Sequence, residues 1–120
     1  MTKCLLIIDD SEDLQILLQR VFESKGYAVL KALNGKEALK VLFASDPLPD
    51  LIMLDLILPD ISGEDFVKIK EKNEKFKDIP LILMSAGVIP EKEPQANIKG
   101  CLSKPLDLYV LLETIEKILA

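Results

Sequence analysis

Five polar residues stand where short apolar runs end. Asp9-Asp10 closes Cys4–Ile8, Asp55 closes Leu51–Leu54 and Ser85 closes Leu81–Met84, while Lys104-Pro105 follows the weaker run Cys101–Leu102. Three carboxylates brought together repel one another unless a cation joins them. Hard oxygen ligands select Mg²⁺ or Ca²⁺ over softer metals, and Mg²⁺ keeps waters and leaves room for phosphate oxygens. Ser85 offers a hydroxyl donor and Lys104 a positive point charge. Together they suit an anion whose charge the metal cancels only in part. Such a site has no separate activated nucleophile, so a carboxylate is the natural one. Phosphoryl transfer asks for positioning and charge neutralisation more than for acid–base chemistry. The chain contains no histidine, so any His base, ligand or phospho-carrier must come from elsewhere.

The elements that must position these groups follow from the pattern. The runs Cys4–Ile8, Leu51–Leu54 and Leu81–Met84 are continuously apolar, as strands buried on both faces are; Tyr27–Leu30 and Cys101–Leu102 complete a set of five. Between them lie helical patterns. Leu14, Leu17, Leu18 and Val21 recur at helical spacing, so a helix runs from Ser11 or Glu12 to Lys25, where Gly26 stops it. Asn34 caps a second helix through Ala38, Leu39 and Leu42 to about Ala44, before Asp46-Pro47. Ser62 or Gly63 opens a third, carrying Phe66 and Ile69, and Leu106 to Leu119 forms the last. Strands alternating with helices imply a doubly wound, flavodoxin-like parallel sheet in the order 2-1-3-4-5. Its ligand crevice opens at the carboxyl ends of strands 1 and 3, where Asp9, Asp10 and Asp55 lie. Gly87–Gly100 contains Pro90 and Pro94, so the fourth helix is expected to be shortened or irregular. In Leu58-Pro59-Asp60-Ile61-Ser62-Gly63, Asp60 reads as a turn former.

Composition bounds the rest. A length of 120 residues suits one domain, residues 1–120, and a hydrophobic content of 49% is enough for a core without disulfides or a structural metal. Lys and Arg total 15 against 20 Asp and Glu, a net charge of −5, which disfavours direct nucleic-acid binding. No apolar run is long enough to span a bilayer, and Met1 to Asp10 is no signal peptide. Cys4 and Cys101 form no CxxC pair and read as free thiols in a reducing cytoplasm. They lie on strands 1 and 5, with two strands between them, too far apart for a disulfide.

Over essentially its whole length the chain resembles the CheY-like receiver domain of two-component response regulators. The resemblance rests on Ile7-Ile8-Asp9-Asp10, on Met53 to Gly63 around Asp55, on Leu83-Met84-Ser85-Ala86 and on Lys104-Pro105-Leu106-Asp107. It implies that Asp55 takes a phosphoryl group from a phosphohistidine on a partner histidine kinase or histidine phosphotransfer protein. It implies Mg²⁺ bound by Asp10, by Asp55, by the backbone carbonyl of Ile57, and by Asp9 through water. Ser85 and Lys104 would contact phosphoryl oxygens, and Lys104–Pro105 would be a cis peptide. Such a module catalyses only its own phosphorylation and dephosphorylation, and acts by switching contacts with a downstream protein that the sequence does not name.

Three departures stand out. The usual aromatic switch residue, three positions before the lysine, is replaced by Cys101. The segment between Ser85 and Lys104 is short and carries two prolines, so the dimerisation common on that face is not implied here. Two positions that tune dephosphorylation in the family hold Ile57 and Gly87, neither of which can orient a water by hydrogen bonding. The altered switch region leaves open a second reading, a receiver-like module acting through a constitutive protein contact. An acidic cluster is a cost that pure scaffolding has no need of. A haloacid-dehalogenase-type phosphatase needs a second aspartate two residues after the first, and Ser11 breaks that spacing. A flavodoxin phosphate loop would be repelled by Asp9-Asp10.

Overall fold

The structure is a computed structural model that describes residues 2–87 and 97–120. Five parallel strands form one sheet: β1 (Cys4–Ile8), β2 (Ala28–Ala32), β3 (Leu51–Asp55), β4 (Leu81–Ser85) and β5 (Ile98–Ser103), in the order β2-β1-β3-β4-β5. Helices α1 (Glu12–Ser24), α2 (Gly35–Ala44), α3 (Gly63–Lys72) and α4 (Leu108–Leu119) connect or follow them. The order is the one that the alternation of elements predicts. The expected irregular helix between β4 and β5 falls on residues outside the described ones.

The pleat divides the core in two. Leu5 and Ile7 point to one face and join Leu18 and Phe22 of α1 and Leu111 and Ile115 of α4. Leu6 and Ile8 point to the other and join Ala38 and Leu42 of α2 and Phe66 of α3. Every residue of β3 and β4 is buried. The strand β5 lies at the edge of the sheet and alternates half-buried and exposed positions, since successive side chains point to opposite faces.

Several boundaries and faces differ from expectation. Strand β2 runs to Ala32 rather than ending at Leu30, because Ala32 pairs with Ile8 at the end of β1. Strand β5 spans Ile98–Ser103 rather than two residues, a length its edge position hides from an apolar-run search. Helix α4 begins at Leu108, since Asp107 caps it by accepting the N–H groups of Tyr109 and Val110 at 2.9 and 3.2 Å. On α1 the buried line is Gln15, Leu18 and Phe22, and Leu17 is exposed. On α3, Ile69 is exposed and Lys70 is buried in its place. Lys104–Pro105 is cis, as the resemblance implies, and so is Asp46–Pro47. Cys4 and Cys101 are free.

Lys70 sets a pH dependence. Its Nζ donates to the Lys77 carbonyl at 3.1 Å. Burial pushes its pKa down to about 8, against the upward pull of Asp78 and Glu71. The folded value lies below the unfolded lysine value of about 10.4, so between these pH values the unfolded chain binds more protons. Stability from this residue therefore rises as pH climbs from about 8 towards 10. Urea unfolding should show wild type gaining on Lys70→Met across that window, and parallel curves would refute the assignment.

Candidate functional site

The carboxyl edge of the sheet gathers the polar strand ends. Asp9 is completely buried, Asp55 nearly so, and Asp10 is exposed. One carboxylate oxygen from each lies within 4.8 Å of the others. Lys104 Nζ bridges two of them, donating to Asp9 Oδ2 at 2.6 Å and to Asp55 Oδ2 at 2.9 Å. Desolvation pushes the lysine pKa down, but the hydrogen bonds and charges of Asp9 and Asp55 outweigh it and hold the ammonium above its usual range.

Backbone donors orient the remaining oxygens. Asp9 Oδ1 accepts the Ser11 N–H at 2.9 Å, and Asp55 Oδ1 accepts the Ile57 N–H at 3.0 Å. The Gly63 N–H donates to the Leu56 carbonyl at 2.9 Å. A Cβ at Gly63 would lie 2.5 Å from Leu56 Cα, so only glycine allows this loop to fold back on its strand. The Lys104 N–H donates to the Ser85 carbonyl at 2.8 Å, which sets the lysine beside β4. Ser85 Oγ is buried and accepts the Gly87 N–H at 3.1 Å, and its hydroxyl hydrogen donates to no described residue. All five groups expected from the sequence lie at this edge: Asp9, Asp10, Asp55 and Lys104 cluster through their side chains, and Ser85 joins them through its carbonyl.

Two contributors were not visible in the sequence. Gln15 Nε2 lies within hydrogen-bond distance of the carbonyls of Ile7, Asp9 and Ala32, at 2.9, 3.2 and 3.0 Å. It ties α1 to the strand ends that present Asp9. The clue was its place three residues before Leu18 and seven before Phe22 on one helical line. Asp60 does more than turn the chain, since its carboxylate reaches the backbone of α2.

The profile "Response regulator receiver domain" matches residues 5–116. The polar-differentiation response regulator DivK of Brucella ovis is 33% identical over 99% of this chain and 98% of its own length. The chain is a response regulator receiver domain. The chemotaxis response regulator CheY4 of Vibrio cholerae superposes with a TM-score of 0.86 at 26% identity, covering 98% of this chain and 99% of that one. The response regulator TrrA of Thermotoga maritima, solved in complex with Mg²⁺-BeF, gives 0.84 at 29% identity over the same shares. A receiver is a signalling module rather than a classical enzyme. Among the described residues no helix is long and apolar enough to cross a membrane.

The donor set fits a hard divalent cation. Three carboxylates carry more negative charge than one lysine cancels, their oxygens converge, and one of them, Asp10, faces solvent. Cys101 is an exposed residue of β5, and desolvation of its thiol pushes the pKa up, away from the reactive thiolate.

Proposed function

We propose that Asp55 is the phosphoacceptor of this receiver. The observation that supports it best is the Lys104 ammonium held between Asp9 and Asp55, beside Asp10. Asp10, Asp55 and the Ile57 carbonyl would ligate Mg²⁺ directly, and Asp9 through water. Bound there, the cation would neutralise charge on the phosphoryl oxygens. An Asp55 oxygen attacks phosphorus as the bond to the donor histidine nitrogen breaks, and the leaving imidazole retains that electron pair. Lys104 is then free to turn from Asp55 to a phosphoryl oxygen. Ser85 can donate its hydroxyl hydrogen, which no described residue accepts, to another. The donor is a histidine kinase or a histidine phosphotransfer protein, and the modified chain acts on a downstream protein. The same reading places the chain in the cytoplasm, where free thiols such as Cys4 and Cys101 stay reduced.

Acetyl phosphate tests this without a cognate kinase. Wild-type protein in Mg²⁺ should gain one phosphoryl group by intact mass, and chelation should prevent the gain. No gain under either condition would remove the proposal in favour of a constitutive binding module.

The adduct should be long-lived for a receiver. The Ile57 side chain is exposed but apolar, and Gly87 offers none. Neither can orient an attacking water. Introducing a polar amide by Ile57→Asn should speed loss of the phosphoryl group on the order of tenfold. Equal decay in the two proteins would show that this position does not govern hydrolysis.

A further inference from the structure

Asp60 leaves its own loop and caps a distant helix. Its Oδ1 accepts the Gly35 N–H at 2.9 Å, and its Oδ2 accepts the Lys36 N–H at 2.8 Å. Oδ1 also accepts the Ile61 N–H at 2.7 Å. Gly35 and Lys36 open α2, and the next residue, Glu37, donates instead to Asn34 Oδ1 at 2.8 Å. The unpaired N–H groups of this helix start are therefore shared between its own cap and a carboxylate from the loop after β3. Packing seals the junction. A Cβ at Gly35 would lie 2.3 Å from Ile61 Cγ1, so the loop and the helix start meet with no room between them.

The opposite end of the same loop is fixed to the site. The Ile57 N–H is held by Asp55 Oδ1, and Gly63 by the Leu56 carbonyl. The path from the candidate acceptor to α2 is thus one short loop, anchored at both ends. A change in what Asp55 carries alters the acceptor of the Ile57 N–H. A loop clamped at its far end passes that adjustment on, because packed junctions shift between arrangements rather than stretch.

We propose that Asp60 couples the state of Asp55 to the first turn of α2, so that the amino-terminal end of α2 is a readout surface of this receiver. The inference rests on the assignment of Asp55 as acceptor and adds a route by which its state leaves the site. This route does not pass through β5, where Cys101 stands at the switch position.

Amide exchange by NMR tests it, with beryllofluoride and Mg²⁺ as the probe. In wild type, loading should shift the Ile57 and Ser85 amides and slow exchange at Gly35 and Lys36 by about fivefold or more. In Asp60→Ala the Ile57 and Ser85 amides should still shift, while exchange at Gly35 and Lys36 no longer responds. Asp60→Asn keeps an acceptor for Gly35 and Ile61 but places an amide against Lys36, so it should respond in part. Movement at Ile57 and Ser85 with no response at α2 in wild type would overturn the coupling alone. An equal response in Asp60→Ala would do the same. No movement at Ile57 and Ser85 in wild type would overturn the site assignment and the coupling together.

Discussion

Asp55→Asn should take up no phosphoryl group from acetyl phosphate and should be more stable than wild type in the absence of divalent cation. The side chains are nearly the same shape. The asparagine oxygen can still accept the Ile57 N–H that Asp55 Oδ1 holds at 3.0 Å, so the loop keeps its anchor. Its amide is no nucleophile towards phosphorus. The stability gain follows from charge. Three carboxylate oxygens converge within 4.8 Å, and one ammonium pairs with two of them, Asp9 and Asp55. Removing one negative charge relieves repulsion and leaves Lys104 paired with Asp9; this outweighs the loss of the Asp55 Oδ2 acceptor, where the amide now faces the ammonium, for a net gain of about 1 kcal/mol. Mg²⁺ should stabilise wild type more than the variant, because the variant offers it one ligand fewer. Intact mass reads the first effect, and urea unfolding with and without Mg²⁺ reads the second. Phosphoryl uptake by the variant would mean that the acceptor lies elsewhere.

Lys104→Met should do the opposite to stability and nearly as much harm to chemistry. The ammonium lies 2.6 Å from a fully buried carboxylate and 2.9 Å from a second that is almost buried. Its removal leaves both without their counter-ion. Breaking a buried pair in this way costs about 3 kcal/mol. The loss should be flat across neutral pH. The lysine pKa is raised, so its contribution is fully present below the ordinary lysine value and lost only as pH climbs through the elevated one. Mg²⁺ should restore much of the stability, since a cation between the carboxylates replaces the missing charge. It should not restore the reaction. With no ammonium to meet a phosphoryl oxygen, uptake from acetyl phosphate should fall about a hundredfold even in saturating Mg²⁺. A variant as unstable with Mg²⁺ as without it would separate the lysine's role from the metal's.

Sequence reasoning succeeded where one local property carried the answer. Strands β3 and β4 are covered on both faces, so their burial is written as unbroken apolar runs. The polar edge was legible because each polar group closes such a run. The edge strand β5 was read short because half of its positions face outward. Lys70 was missed because a long aliphatic stem can lie in the core while its ammonium finds a carbonyl. Gln15 and Asp60 were missed for a different reason. Each acts on backbone groups brought near by the fold: a helical line marks Gln15 as inward-facing and a turn pattern marks Asp60, but no local pattern names the main chain of another element as the partner.

The lysine bridge joins residues 95 positions apart in the chain, Asp9 and Lys104. A ribosome making this protein extrudes β1 and β3, with Asp9 and Asp55, long before the lysine. Until β5 has emerged and docked beside β4, the carboxylates lack the ammonium that gathers them. The cluster of Asp9, Asp55 and Lys104 therefore closes only with the last strand of the sheet. A chain that stops short of Lys104 would lack the ammonium that the chemistry proposed at Asp55 needs.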